Sequence, residues 1–405
     1  MTHARDEKRT LRGSRRRSAV QAFIPIGTQI APGHVNYVLM YNMLTGIRVS
    51  VSRCESKDAR PVRPEDYMAA HKYSFDVVGD EMTPSSRYDF KFKDYAPWVF
   101  RCIREAFHLS TEEYLVSLTD KYILSEVGSS GKSGSFFYYS QDYRFIIKTV
   151  HHTEHNTTEF VRDHPNTLLS RIYGLHRIKL PQGRKVHFIV MSNILPPNKD
   201  IHAQFDLKGS MLGRELSAEA AAKPRACMKD KNWVKMGERL RLGPHKRREF
   251  VQQLIEDVTL LIRLNIMDYS LLVGIHDLTK GNSLQAARHD AITPEPADAR
   301  AHHPRSRCSS MFRELRHSVF YREDGGILST SERDEPAQLI YYLGVIDILT
   351  PYNMVKRTEH FVKSIVHDGR EISAVNPRKY GLRFLRFMVN SLGQLGRRLA
   401  AARAV

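Results

Sequence analysis

The sequence has no run of about 18 apolar residues, the length a bilayer-crossing helix requires, so nothing in it reads as a membrane span. Its opening stretch, MTHARDEKRTLRGSRRRSAV, is basic but carries no apolar signal segment, and the interleaved Asp6 and Glu7 argue against an organelle presequence. Cysteine is scarce. Cys54, Cys102, Cys227 and Cys308 lie far apart, with no CxxC or Cys/His spacing, which excludes a disulfide framework and a zinc module and fits a reducing compartment. The 19 histidines form no HExxH or similar set, so a protein-ligated metal of that kind is not expected. Internal repeats are absent. Acidic residues are outnumbered, 44 Asp and Glu against 62 Lys and Arg, giving a formal net charge of +18. An excess of that size favours polyanions through attraction and counterion release, and composition does not choose between nucleic acid and anionic lipid.

What is present is ordinary globular material: 405 residues, 41% hydrophobic, enough for two lobes with a large core. Residues 1 to about 20 are basic and aperiodic, and disorder is expected there. HVNYVLMYNMLTGIRVSVSRC suggests helix and then strand. KYSFDVV to REAF reads as strand, turn, strand and helix: Tyr88, Phe90 and Phe92 alternate, Val99, Ile103 and Phe107 fall at helical spacing, and Pro97 starts the helix. TLLSRIYGLHRI suggests a helix or turn, and GLHRIKLPQGRKVHFIVMSNILPP reads as a pair of strands joined at Pro181-Gln182-Gly183 as a hairpin. Residues 216 to 245 read as a mixed connector. The longest helix covers KRREFVQQLIEDVTLLIRL, where Phe250, Leu254, Val258 and Leu261 make one apolar face. From 279 to about 318 the chain is rich in Pro, Ala, Arg and His and poor in large apolar residues, as in a disordered insertion.

The stretch SEVGSSGKSGSFFYYSQDYRFIIKTV contains Gly131-Lys132-Ser133, the end of a phosphate-loop pattern. That pattern needs a glycine where Glu126 stands and a helix afterwards, but aromatic, strand-favouring residues follow instead. The stretch therefore predicts a Gly/Ser-rich hairpin with Lys148 on its outgoing strand. Protein kinases cover ATP phosphates with such a loop and contact them with a strand lysine. Read alone, such a hairpin is more often a plain surface turn, and such a lysine is usually a solvated edge residue.

Further along come the edge run FIVMSN, Asp268 after the long helix, and Asp347 within the apolar run YYLGVIDIL. Phosphoryl transfer needs positioning, neutralisation by Lys and Mg²⁺, and a carboxylate near the attacking hydroxyl. An acid inside a buried strand is costly unless it meets a cation or is fully hydrogen-bonded, which favours Asp347 as a metal ligand. Asp268 admits the same reading or a local role at a turn.

DYAPWVFRCIREAF, GKSGSFFYYS with RFIIKTV, HFIVMSNILPP, FDLKGS, NIMDYSLLVGIHD and YYLGVIDILTPYNMVKRTEH follow one another along the chain, within a resemblance that covers about residue 35 to 388. In that order they resemble the catalytic domain of the phosphatidylinositol phosphate kinases, type I-like, and GHVNYVLMYNMLTGIRVSVSRC looks closest to the fungal phosphatidylinositol 4-phosphate 5-kinases. The resemblance implies an α+β fold of two lobes, an antiparallel N-lobe sheet and a smaller C-lobe, distantly like protein kinases. It implies ATP and Mg²⁺ as cofactors, transfer to the 5-hydroxyl of phosphatidylinositol 4-phosphate, attachment to the cytoplasmic face of the plasma membrane and a homodimer formed through the N-terminal lobes. No nucleic-acid module is recognisable. A nuclear pool is a further expectation from the Arg-rich start.

By the same resemblance, Gly128, Gly131, Lys132, Ser133 and Gly134 belong to the loop over the phosphates, and Lys148 is the ATP lysine. Met191, Ser192, Asn193 and Ile194 take the adenine hinge, and Lys208 stands at the phosphates and lipid. Asp268 is the catalytic-loop acid and Asp347 the Mg²⁺ ligand. Lys356, Arg357 and Glu359 match the type I specificity loop with one Lys-to-Arg exchange; Glu359 argues against a type II enzyme acting on phosphatidylinositol 5-phosphate. One departure is the segment at NTTEF, shorter than the family's by roughly two helical turns. Glu154 and Glu159 are the local acids left to support Lys148; a catalytically weakened phosphoinositide-binding scaffold is the alternative this raises. The expected organisation is a basic arm at 1–34, a catalytic domain at 35–388 divided near 195/196, and a basic tail at 389–405.

Overall fold

The computed structural model describes residues 27–121, 124–128, 136–150, 167–181, 183–283, 325–352 and 376–392. Two sheets organise it. The larger has eight strands in the order β1-β4-β5-β6-β8-β7-β3-β2 and is antiparallel throughout. Its members are β1 (Thr28–Gln29), β2 (Ala70–Phe75), β3 (Phe90–Tyr95), β4 (Ser125–Gly128), β5 (Phe136–Tyr139), β6 (Phe145–Val150), β7 (Ile172–Lys179) and β8 (Lys185–Ser192). Helices α1 (Tyr37–Glu55), α2 (Pro97–Ala106) and α3 (Thr111–Thr119) accompany this sheet. The α+β expectation and the antiparallel N-lobe sheet are borne out.

The smaller sheet runs β10-β9-β11-β13-β12, with β9 (Ala203–Leu207), β10 (Cys227–Lys229), β11 (Ser270–Asp277), β12 (Ile327–Thr330) and β13 (Pro336–Ile346). Only the β9–β10 pair in it is parallel. The short helices α4 (Ala218–Ala221) and α5 (Asp230–Lys235) lie in the 216–245 connector. The long helix is α6 (Pro244–Arg263); Phe250, Leu254, Val258 and Leu261 are buried as its periodicity predicted, and α7 (Pro377–Asn390) packs beside it.

Several expectations are corrected. Residues 37–55 form one helix, not helix then strand. The alternation in RVSVS suggests period two, but Ile47, Val51 and Cys54 fall at helical spacing and are buried, and the Ser50 hydroxyl donates to the Ile47 carbonyl. The last carbonyls of α1 are covered by Arg101 of α2, which donates to Cys54 O at 3.0 Å and to Lys57 O at 2.8 Å. Such capping of orphan carbonyls needs a residue distant in sequence, which periodicity cannot reveal. Likewise the strand expected from Gly174 begins already at Ile172, which lies opposite Met191 of β8, so Ile172 and Tyr173 are strand and not helix or turn. The expected arm at 1–34 overlaps the fold: Thr28 and Gln29 pair with β4 and Ile30 is buried. At the other end residue 388 falls inside α7, and Leu392 bridges to Leu240. The insertion proposed from 279 keeps order to Ser283, whose N–H donates to Asp200; its remainder lies outside the described residues.

A buried carboxylate joins the sheets. Asp257 of α6 accepts from the Thr167 hydroxyl at 2.7 Å, the Leu168 N–H at 2.8 Å and the Gln253 side chain at 3.0 Å. Leu168 and Ser170 continue onto β13 by hydrogen bonds with Val345. The segment leading into β7 is thus tied to the helix and strand that carry the smaller sheet.

Burial pushes the Asp257 carboxyl up to about 6, against the pull of those three donors. Between that value and the ordinary 3.8, the folded chain holds a proton that the unfolded chain has released. Acidification through this window therefore favours the folded state through this group, and the contribution is lost as pH rises through about 6. Between pH ~7 and ~4.5 the unfolding free energy of the native chain should gain on the order of 2 kcal/mol relative to Asp257→Asn. Parallel pH profiles in urea titrations would contradict this.

Candidate functional site

The site begins where two strands of the smaller sheet end together. In the β11–β13 register Ser270 lies opposite Ile346, so Asp268 and Asp347 emerge at the same end. The pairing continues irregularly past them: Met267 N–H donates to Thr350 O at 3.1 Å, Tyr352 N–H donates to Asn265 O at 2.8 Å, and Ile266 bridges Pro351. Both acids adopt left-handed backbone, φ +67° at Asp268 and +61° at Asp347. Non-glycine residues hold that conformation only where surroundings over-determine it, and it recurs at functional positions.

Asp347 corrects the premise on which it was chosen. It lies just beyond β13 rather than inside it, and its side chain is 42% exposed. Its partner is Lys148 of β6, whose Nζ stands 2.8 Å from Asp347 Oδ1 and is itself only 16% exposed. Lys148 also lies over the Phe137 ring at 5.3 Å, the residue opposite it on β5. The ammonium thus leans from the large sheet to the carboxylate of the small one. Glu154 and Glu159 lie outside the described residues.

A second pair sits beside the first. Lys208 Nζ is 2.9 Å from Asp268 Oδ1, with the two side chains 14% and 31% exposed. Lys208 directly follows β9, and alternation along that strand turns Phe205 and Leu207 into the core. Two lysines and two acids drawn from four separate stretches therefore converge at the mouth between the sheets.

The connection from β8 into the smaller sheet passes over β13 and β11. Opposite residues of an antiparallel pair share a face, so Met191 lies with Ile146 and Lys148 on one side of the large sheet. Asn193 is committed to bracing: its side chain donates to Tyr143 O at 2.9 Å and accepts from Leu195 N–H at 3.1 Å. Ser192 donates to Asn193 O at 3.3 Å. Ile194 and Leu195 rest where β13 and β11 have Gly344 and Gly274; a Cβ at either glycine would overlap the side chain above it. Of the expected hinge residues, Met191 contributes a side chain to the Lys148 face, and Asn193 and Ile194 set the path of the backbone.

Gly128 ends β4, opposite Phe136, and its side of the hairpin is anchored by Phe136 N–H donating to the Thr149 hydroxyl at 2.8 Å. Gly131, Lys132, Ser133 and Gly134 lie outside the described residues, as do Lys356, Arg357 and Glu359. Sequence reasoning missed Asp230, which is fully buried and accepts from the N–H groups of Lys208 and Gly209. In KDKN it looks like an acid at a helix start, and no spacing links it to a turn some 20 residues earlier.

Among the described residues no group of three or more His, Cys, Asp or Glu side chains could cage a metal. Mg²⁺ in phosphoryl transfer is ordinarily held by one or two carboxylates together with substrate phosphates. The exposed Asp347 carboxylate, with Asp268 adjacent, fits that mode and not a closed protein site.

A lysine on an antiparallel sheet facing an acid at the end of a strand pair is the kind of arrangement that kinases use in phosphoryl transfer. The chain belongs to the phosphatidylinositol-4-phosphate 5-kinase family, whose description matches residues 118–391. It is 48% identical to phosphatidylinositol 4-phosphate 5-kinase its3 of Schizosaccharomyces pombe, over 95% of this chain and 57% of that protein. It is 33% identical to a probable phosphatidylinositol phosphate kinase of Dictyostelium discoideum, over 90% of this chain and 59% of the relative. Against phosphatidylinositol 4-phosphate 5-kinase type-1 alpha of Homo sapiens identity is 34%, over 86% of this chain and 64% of that one. The chain thus spans less than two thirds of the length of these relatives. Membership of a kinase family implies use of ATP.

Gly344→Val should lift Ile194 from its seat and displace the hinge. Overpacking of this kind costs about 1–3 kcal/mol of stability, and the KM for ATP should rise about tenfold, as expected when a binding element shifts by a fraction of an ångström. Unchanged KM with a lowered melting temperature would show that the hinge does not depend on this contact.

Proposed function

We propose that the chain is a lipid kinase transferring the γ-phosphoryl group of ATP to the 5-hydroxyl of phosphatidylinositol 4-phosphate, making phosphatidylinositol 4,5-bisphosphate. The observation that carries the reading is the convergence of Lys148–Asp347 and Lys208–Asp268 at one mouth. Phosphoryl transfer asks a protein chiefly to position and to neutralise. Lys148 supplies fixed positive charge for the nucleotide phosphates. Asp268 lies within reach of an acceptor hydroxyl and can take its proton. Lys208, now neutralising Asp268, is placed to follow negative charge as it moves between donor and acceptor. Asp347, with its exposed carboxylate, would hold Mg²⁺, which supplies charge neutralisation across the phosphate oxygens when bound.

The choice of the 5-hydroxyl is supported by the sequence Lys356-Arg357-Thr358-Glu359 and by the names of the yeast and human relatives. The net charge of +18 suits an anionic membrane surface, where each basic residue contributes about 1 kcal/mol. No helix among the described residues is long and apolar enough to cross a membrane. Peripheral attachment at the cytoplasmic face of the plasma membrane and a homodimer complete the proposal.

Labelled phosphate from Mg-ATP should enter vesicles of phosphatidylinositol 4-phosphate in preference to phosphatidylinositol 5-phosphate. Asp347→Asn should lower that rate by about 10²–10³-fold, the usual loss when a key electrostatic group of the transition state is removed. Preference for the 5-phosphate lipid would overturn the 5-kinase assignment, and vesicle binding without transfer to either lipid would indicate a scaffold.

A further inference from the structure

The Lys208–Asp268 pair is held from behind by residues that touch neither side-chain charge. The N–H of Lys208 and the N–H of Gly209 both donate to Asp230 Oδ1, at 2.9 Å and 2.7 Å. Those two groups flank the Lys208 Cα, so one buried oxygen orients both peptides from which the lysine side chain departs. Asp230 Oδ2 in turn accepts from Arg214 Nε at 2.8 Å, and Arg214 reaches back to the Asp206 carbonyl just upstream of the turn. Gly209 lies at φ +70°, and a Cβ there would stand 3.0 Å from Phe384 Cα and 3.2 Å from the Arg383 carbonyl. The turn carrying Lys208 is therefore pressed against the backbone of α7.

The same helix reaches Tyr269, the residue after Asp268. Met267 and Tyr269, on either side of it, are fully buried. The Tyr380 hydroxyl of α7 donates to the Tyr269 carbonyl, a group that precedes the regular β11 ladder. The Tyr269 ring meets Tyr380 and Phe384 edge-on, at 4.7 Å and 5.2 Å between centroids. Burial, followed by the nearby Asp268 charge, holds the Tyr380 hydroxyl well above the usual phenol range, so it remains protonated and able to donate. A left-handed aspartate between two buried neighbours has few ways to relax, and this bond closes off the one on its C-terminal side.

We propose that Tyr380 and Asp230 are positioning residues for phosphoryl transfer: Tyr380 directs the Asp268 carboxylate through the Tyr269 carbonyl, and Asp230 directs the Lys208 ammonium through the two N–H groups around its Cα. The inference rests on the kinase reading of the site. It makes α7, more than 100 residues beyond Asp268, part of the device that sets reacting geometry. A displacement of about 1 Å at such groups costs on the order of 10²-fold in rate while leaving remote binding contacts intact.

The test uses the full chain with Mg-ATP and phosphatidylinositol 4-phosphate vesicles, single-turnover rates, direct ATP titration and melting curves. Tyr380→Phe keeps the ring packing and Asp230→Asn keeps the side-chain shape. Each should lower kcat about 10- to 100-fold with the Kd for ATP changed less than about twofold. Met388→Leu, a buried change on the same helix, should leave kcat within about twofold even if it lowers the melting temperature equally. In an Asp268→Ala background, Tyr380→Phe should cost less than about twofold more, because its route of action is already gone. Losses that multiply in the double variant, or that track melting temperature across all variants, would overturn the inference while leaving the kinase reading in place. Absence of transfer by the unaltered chain would overturn both.

Discussion

The antiparallel register that sets Ser270 opposite Ile346 is the constraint on which the site depends. Moving either strand by one residue would exchange its two faces, burying what is now exposed and separating Asp268 from Asp347. The register is fixed on three sides: by the β9 ladder beside β11, by the irregular bonds that run on to Tyr352, and by Val345, whose backbone also bonds Leu168 and Ser170. The last of these matters most for function. It attaches the segment leading into β7 to the strand that ends at Asp347, so the large sheet, with Lys148, is referred to the same strand as the acid it faces.

The two lysine–aspartate pairs illustrate why such a frame is needed. Partly exposed ion pairs contribute little to stability by themselves, and neither would hold two sheets together. Their geometry is a result of packing elsewhere: Asp257 anchoring Thr167 and Leu168, Asp230 anchoring Lys208 and Gly209, Ile194 and Leu195 seated on two glycines. Charge is then available at the mouth without cost of assembly at the moment of reaction, which is the condition for electrostatic catalysis.

The buried acids divide by role accordingly. Asp230 and Asp257 are fully buried and satisfied by several donors each, and they act on backbone. Asp268 and Asp347 remain partly open and each faces a lysine. A half-open carboxylate keeps access to groups other than its lysine, whereas one that fixes a turn gains from enclosure because an unsatisfied buried donor is expensive.

Much of this was legible in the chain. The face of α6, the alternation in β3 and the hairpin without a phosphate loop follow from periodicity and motif, because each depends on residues within one or two turns of one another, whereas the choice of Lys148, Lys208, Asp268 and Asp347 followed from motif order and family resemblance. The reach of α1 through RVSVS, the start of β7 at Ile172, the exposed position of Asp347 and the anchoring by Asp230 did not, since each is decided by partners 19 to 199 residues away. By itself the sequence determined which kinds of side chain are available for chemistry and how they are spaced locally. Only the tertiary structure decided which lysine faces which acid and what holds them there, because strand register and buried hydrogen bonds are properties of contacts that no single stretch contains.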